Sequence, residues 1–125
     1  MSRNPARSYR DLEMWRKAHA FVKQGYRLTA GFPREEMFGL TAQLRRAAVS
    51  IAANIAEGFR KRSAAEKARF LSIAQGSADE CDYYLLLSAE LGYGRSTEAE
   101  HLLEETCRLL TSYSSAITSH HREDL

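Results

Sequence analysis

The chain has 125 residues, 44% of them hydrophobic, which suffices for one domain with its own core and no disulfide or metal staple. Its net charge of +2 hides an asymmetry, since residues 1–69 carry 15 Lys/Arg against 6 Asp/Glu and residues 70–125 carry 3 against 10, giving halves of +9 and −7 and predicting one basic and one acidic side. The start, MSRNPARSYR, lacks the apolar core of a signal peptide, no apolar run approaches the about 18 residues of a membrane span, and Cys81 and Cys107 form no close metal or redox pair, so the chain is expected in the cytoplasm with its thiols buried.

A first helix is expected over residues 11–30, with Met14, Ala18, Phe21, Gly25 and Leu28 at helical spacing and Trp15 and Val22 widening the stripe. Gly31-Phe32-Pro33 stops it. Glu35 and Glu36 suit the positive end of a second helix, running through Leu40, Leu44, Ala48, Ile51 and Ile55 to Arg60, about 40 Å long. Ser63-Ala64-Ala65-Glu66 is a capping box that opens a third helix with Phe70, Ile73, Ala74, Ser77, Cys81, Leu85 and Leu91 inward, and Gly92 is placed to end it in a left-handed conformation. A second capping box, Thr97-Glu98-Ala99-Glu100, opens a fourth helix with Leu102, Thr106, Leu109, Tyr113 and Ile117 inward, fraying near His120-His121. Connections of about three to six residues favour antiparallel neighbours. The expected fold is a single all-α, antiparallel up-down four-helix bundle over residues 1–125, with 1–9 and 121–125 flexible.

Residues 47–56, AAVSIAANIA, are small or apolar in nearly every direction around the helix, and a helix of that kind is normally buried all round. In a four-helix monomer each helix keeps one face in water, so the extra face is expected to meet another subunit through Ala48, Ile51, Ala52, Asn54 and Ile55. Asn54 would then need an amide partner across a helix or subunit boundary, because a buried unpaired amide costs about 1–3 kcal/mol.

Phe32-Pro33, residues 40–60 (LTAQLRRAAVSIAANIAEGFR), residues 68–77 (ARFLSIAQGS) and Leu91-Gly92-Tyr93 resemble the four-helix bundle proteins encoded by intervening sequences in 23S ribosomal RNA genes. The resemblance covers nearly the whole chain, departing at Ala52 and Ala78, where that family often has proline and leucine. It implies a homopentameric ring. Related in fold are the accessory variability determinant proteins of diversity-generating retroelements, which bind nucleic acid and a reverse transcriptase through a basic ring surface, and that role transfers only as an analogy of fold.

The residues that speak to function are cationic. Arg16, Lys23 and Arg27 fall within about 20° of one another around the first helix, with Lys17 beside them. Arg60, Lys61 and Arg62 follow the second helix, Lys67 and Arg69 open the third, and Arg45 and Arg46 lie upstream. Repeated around a ring, they would hold phosphates of structured RNA or DNA by counterion release. No base-reading motif accompanies them, so shape would decide what binds. The competing expectation is a protein-protein adaptor or scaffold that recognises a protein partner through its acidic third and fourth helices.

Catalysis finds no motif. A di-iron bundle needs two Glu-x-x-His motifs and two more glutamates, and only Glu98 with His101 matches. There is no P-loop, nucleophile elbow or glycine-rich nucleotide loop, and Tyr83, Tyr84 and Tyr93 read as packing residues. The chain is therefore expected to be non-enzymatic, with no metal and no cofactor.

Overall fold

Four α-helices follow one another in the computed structural model, which describes residues 5–123 and their side chains as far as 119. They are α1 (Glu13–Thr29), α2 (Leu40–Arg60), α3 (Ala64–Glu90) and α4 (Thr97–Glu123). Each packs on its neighbour in sequence, α1 closes on α4, and the diagonal pairs make no close backbone approach. This is the four-helix bundle that the helical periods predict, with no strand among the described residues. Phe21, Leu44, Ile51, Ile55 and Leu110 fill its centre.

Of the stretches expected to be flexible, residues 1–4 and 124–125 lie outside the described residues. Ser8 opens a 3-10 turn, Tyr9–Asp11, by accepting from the Arg10 amide, and the Asp11 carboxylate accepts the amides of Arg7 at 2.9 Å and Ser8 at 3.1 Å. Those two amides hold the Asp11 carboxyl below the usual carboxylate range. At the other terminus, α4 continues to Glu123, past His120 and His121.

The second helix begins later than its acidic residues imply. Arg34–Glu36 form a separate 3-10 turn, and Gly39 breaks the path with φ −107° and ψ −114°, so α2 has 21 residues and is about 30 Å long. Glu36 caps the helix from outside it. Its carboxylate accepts the Leu40 amide at 3.1 Å and the Tyr93 hydroxyl at 2.9 Å, tying the start of α2 to the loop after α3. The Leu40 amide first, and the Tyr93 hydroxyl second, lower the Glu36 pKa, and the same hydrogen bond raises that of Tyr93.

The caps of α3 and α4 also depart from expectation in part. Ser63 accepts the Glu66 amide at 3.1 Å, which is one half of the predicted box. For α4 the capping oxygen is that of Ser96, which accepts the Ala99 amide at 3.1 Å. Glu100 is drawn instead into a two-pronged pair with Arg95, at 2.9 and 3.1 Å. Gly92 ends α3 with φ +76°, and the Tyr93 amide reaches back to the Ser88 carbonyl.

The inward faces of α1 and α2 are those read from the sequence apart from a half-buried Leu28, and on α3 Ala74, Ser77, Cys81 and Leu85 point inward as read, but the rest of the α3 face and most of the α4 face are displaced. On α3 the buried residues are Leu71, Ala74, Ser77, Ala78, Cys81, Leu85 and Ser88, while Phe70 is half-buried and Ile73 and Leu91 are exposed. On α4 they include Ala99, Leu103, Thr106 and Leu110, leaving Leu102, Leu109 and Ile117 half-buried and Tyr113 exposed. Closeness explains the shift on α3. A Cβ built on Gly58 of α2 would meet the Phe70 Cβ at 3.1 Å, and at such a spacing small side chains occupy the contact while large ones are pushed to its edge.

Candidate nucleic-acid interface and subunit faces

The same closeness places four of the five residues expected at a subunit boundary inside the subunit itself. Ala48 and Ile51 are fully buried, Ile55 is 1% exposed and Ala52 9%, all within the subunit's own bundle. Ala47, Ala48, Ala52 and Gly58 of α2 are buried inside the bundle, while Ala53 and Ala56 are not. Asn54 is likewise satisfied at home, donating to the Ser50 carbonyl at 2.8 Å and the Ser50 hydroxyl at 3.0 Å, with Ser77 of α3 donating to that hydroxyl at 2.8 Å. What α2 turns outward is a ridge at helical spacing formed by Arg46, Val49, Ala53, Ala56 and Arg60. Together with Tyr9, Trp15 and Val22 its apolar members line a shallow groove of about 240 Å³ between α1 and α2.

The cations do not form one uniform belt. Six gather at the end of the bundle where α1 and α3 begin and α2 ends. There Arg60 and Arg10 lie over the Tyr9 ring, at 6.0 and 5.5 Å, and Lys61 and Arg69 lie over Phe70, at 5.0 and 6.0 Å. Arg62 is exposed beside them, and Arg16 donates to the Arg10 carbonyl at 2.9 Å. Aromatic faces hold these side chains in place while their charged heads stay at the surface. Arg10 is a member that sequence reading missed. The signal was present in Ser8 and Asp11, whose reciprocal bonds fix the turn that brings Tyr9 and Arg10 to this end.

Lys67 and Lys17 are occupied elsewhere. The Lys67 ammonium donates to the carbonyls of Phe59 at 2.9 Å and Gly58 at 3.4 Å, capping the negative end of α2. Lys17 pairs with Glu105 of α4 at 2.8 Å, a bond that raises the Lys17 pKa and lowers that of Glu105. Arg45 lies toward the opposite end, over the Tyr26 ring at 4.5 Å and donating to Thr29 at 2.8 Å. Arg27 is exposed at that same end, in the last turn of α1, and Arg46 and Lys23 are exposed along the bundle. Among the described residues, Lys17 is the one member of the predicted eleven that lies in a salt bridge.

On the far side of the bundle α3 and α4 leave an open seam, which sequence reading also missed. One groove of about 640 Å³ has Ala78, Leu85, Leu86 and Leu103 on its floor and Asp79, Asp82 and Glu104 on its rim, with Arg95, Glu100, Cys107 and Arg108 beside them. A second, of about 620 Å³, adjoins it at Gln75 and is lined by hydroxyls from Ser72, Thr111, Ser114, Ser115, Thr118 and Ser119. The serines and threonines of the second half of α4 were the available signal.

Among the described residues, no three His, Cys, Asp or Glu side chains gather as a metal site, and no helix is long and apolar enough to cross a membrane. His19 stacks on Trp15 with centroids 4.7 Å apart. Burial pushes the Cys81 thiol up to about 12.

A family model described as 23S rRNA-intervening sequence protein matches residues 10–114. Among solved structures, the chain is similar to a protein of unknown function from the S23 ribosomal protein family of Bacteroides thetaiotaomicron VPI-5482. The two share 27% identity and a TM-score of 0.72 over 82% of this chain and 95% of that one. No curated protein matches the chain.

Proposed function

Because the chain belongs to the 23S rRNA-intervening sequence protein family, we propose that it is a non-enzymatic, cytoplasmic homo-oligomer whose basic end holds structured RNA or DNA by its phosphates. A pentamer is the assembly that the sequence resemblance implies. The observation that carries the reading is the set of cations at the α2–α3 connection. Arg60, Lys61, Arg62 and Arg69, with Arg10 and Arg16 from the start of the chain, converge there on Tyr9 and Phe70 without a salt-bridge partner among the described residues. Each cation that neutralises a phosphate releases counterions, so binding depends steeply on salt, with a slope of about −0.9 per phosphate on duplex DNA. Phosphate contacts alone carry no sequence information, and the side chains present favour shape over base readout.

The test is fluorescence anisotropy of a labelled structured RNA and a matched DNA duplex, titrated across a salt series, with oligomer mass followed by light scattering. Micromolar or tighter binding that weakens with salt, and that the triple variant Lys61→Glu, Arg62→Glu, Arg69→Glu loses while keeping its mass, supports the reading. An intact oligomer that binds neither ligand at low salt overturns it and leaves a protein-binding adaptor as the function to pursue.

A further inference from the structure

We propose that the groove between α3 and α4 receives the outward ridge of α2 from a second copy of this chain. The inference rests on the self-association in the reading above and names the two surfaces that meet. Both are incomplete as they stand. The groove leaves Leu86 55% exposed above a floor of Leu85 and Leu103, and the ridge leaves Val49 43% exposed between Ala53 and Arg46. One is a seam between two helices and the other the outer face of a single helix, with the shallow groove between α1 and α2 along its flank. Small residues on such a face let a helix settle about 8 Å from its neighbours.

Charge selects the occupant. The groove rim offers Asp79, Asp82 and Glu104, with Glu100 already held by Arg95 at 2.9 Å and Arg108 as an opposing cation. The ridge begins with Arg46 and ends with Arg60, about 21 Å apart, and the one carboxylate near it is that of Glu57, exposed on its flank one turn from Arg60. A second copy therefore supplies what the rim lacks, from the same surplus of positive charge that divides the sequence into halves of +9 and −7. The two faces lie on opposite sides of one bundle and differ from each other, so the contact is head-to-tail, the type that closes into a ring or extends as a filament. Lys61, Arg62 and Arg69 are not part of the ridge and stay free for phosphates.

Charge exchange tests this without nucleic acid present. Arg46→Glu with Ala53→Glu gives an acidic ridge, and Asp79→Lys with Asp82→Lys gives a basic groove, all at exposed positions. Each double variant alone is expected to bind itself at least tenfold more weakly by sedimentation or light scattering, with an unchanged helical circular dichroism spectrum. An equimolar mixture is expected to regain association in even-numbered or open assemblies, because the two variants then alternate and every ridge meets a groove of opposite sign, which a closed ring of five cannot achieve throughout. In the wild type, dilution should also raise the labelling rate of Cys107, which lines the groove. Variants that keep the wild-type mass, or a mixture that regains nothing, overturn the assignment of these faces while leaving self-association standing. A wild type that is monomeric throughout overturns both.

Discussion

Helix α3 has two lateral neighbours and packs on them in opposite ways. Toward α2, Ser77 is small, a Cβ on Gly58 would lie only 3.1 Å from that of Phe70, and a chain of hydrogen bonds runs from Asn54 through Ser50 to Ser77. Toward α4, the helices stand apart and leave grooves of about 620 and about 640 Å³ along their seam. The difference separates two meanings of a small-residue helix. In α2, alanine and glycine let a helix of the same subunit come close, and the surface left for another molecule lies on the loose seam and on the outer ridge.

If that contrast is real, truncation at the tight side costs far more than truncation at the loose side. Ile51→Ala removes a fully buried side chain from a region that cannot collapse further, and should cost about 2–5 kcal/mol in urea unfolding. Gly58→Val places branched carbons against Phe70 and should cost about 1–3 kcal/mol, with the loss confined to the α2–α3 contact. Leu86→Ala, on the open seam, should change subunit stability by less than about 0.5 kcal/mol. A Leu86 variant as damaging as the Ile51 variant would mean that α3 and α4 close over Leu86 within the subunit.

A smaller effect sharpens the comparison at the end of the bundle, where Glu36 joins α2 to the loop after α3. Its folded-state pKa is lowered, so the stabilisation it gives is complete above the usual carboxylate range and disappears as pH falls through the lowered value. Glu36→Gln keeps an acceptor for the Leu40 amide but no charge to titrate. Its Tm should therefore fall less steeply with acidification than that of the wild type. Parallel curves for the two proteins would show that the Leu40 and Tyr93 bonds do not depend on the charge.

What the sequence made legible follows from this packing. Met14, Ala18, Phe21 and Gly25 on α1 and Leu44, Ala48, Ile51 and Ile55 on α2 repeat at one period on one face, so both their helices and their inward sides could be read. On α3 and at its C-cap, Ile73, Tyr83, Leu86 and Leu91 are apolar yet exposed while Ser88 is buried, so there residue type points the wrong way. The cap on α2 was hidden because its second partner, Tyr93, lies 57 residues from Glu36. Among the cations, the run Arg60, Lys61, Arg62 marked the basic end correctly, but Lys17 and Lys67 are spent on Glu105 and on the end of α2, which only the folded chain brings to them. The groove between α3 and α4 belongs to the edges of two helices, and the serines and threonines late in α4 mark only its hydroxyl-lined half.

The two cysteines report on the two kinds of packing directly. Cys81 is fully buried in the core, where burial raises its thiol to about 12, so it has neither access nor thiolate to offer in mildly alkaline solution. Cys107 is half-buried on the loose seam. Burial raises its pKa too, but the Gln75 amide, 3.9 Å from the sulfur, works the other way. A neutral thiol reagent should therefore modify one cysteine of the native protein, identified as Cys107 by peptide mass, and reach Cys81 only in denaturant. Equal rates for the two would place Cys81 in a region that opens as readily as the seam, and the division between a tight and a loose side of α3 would fall.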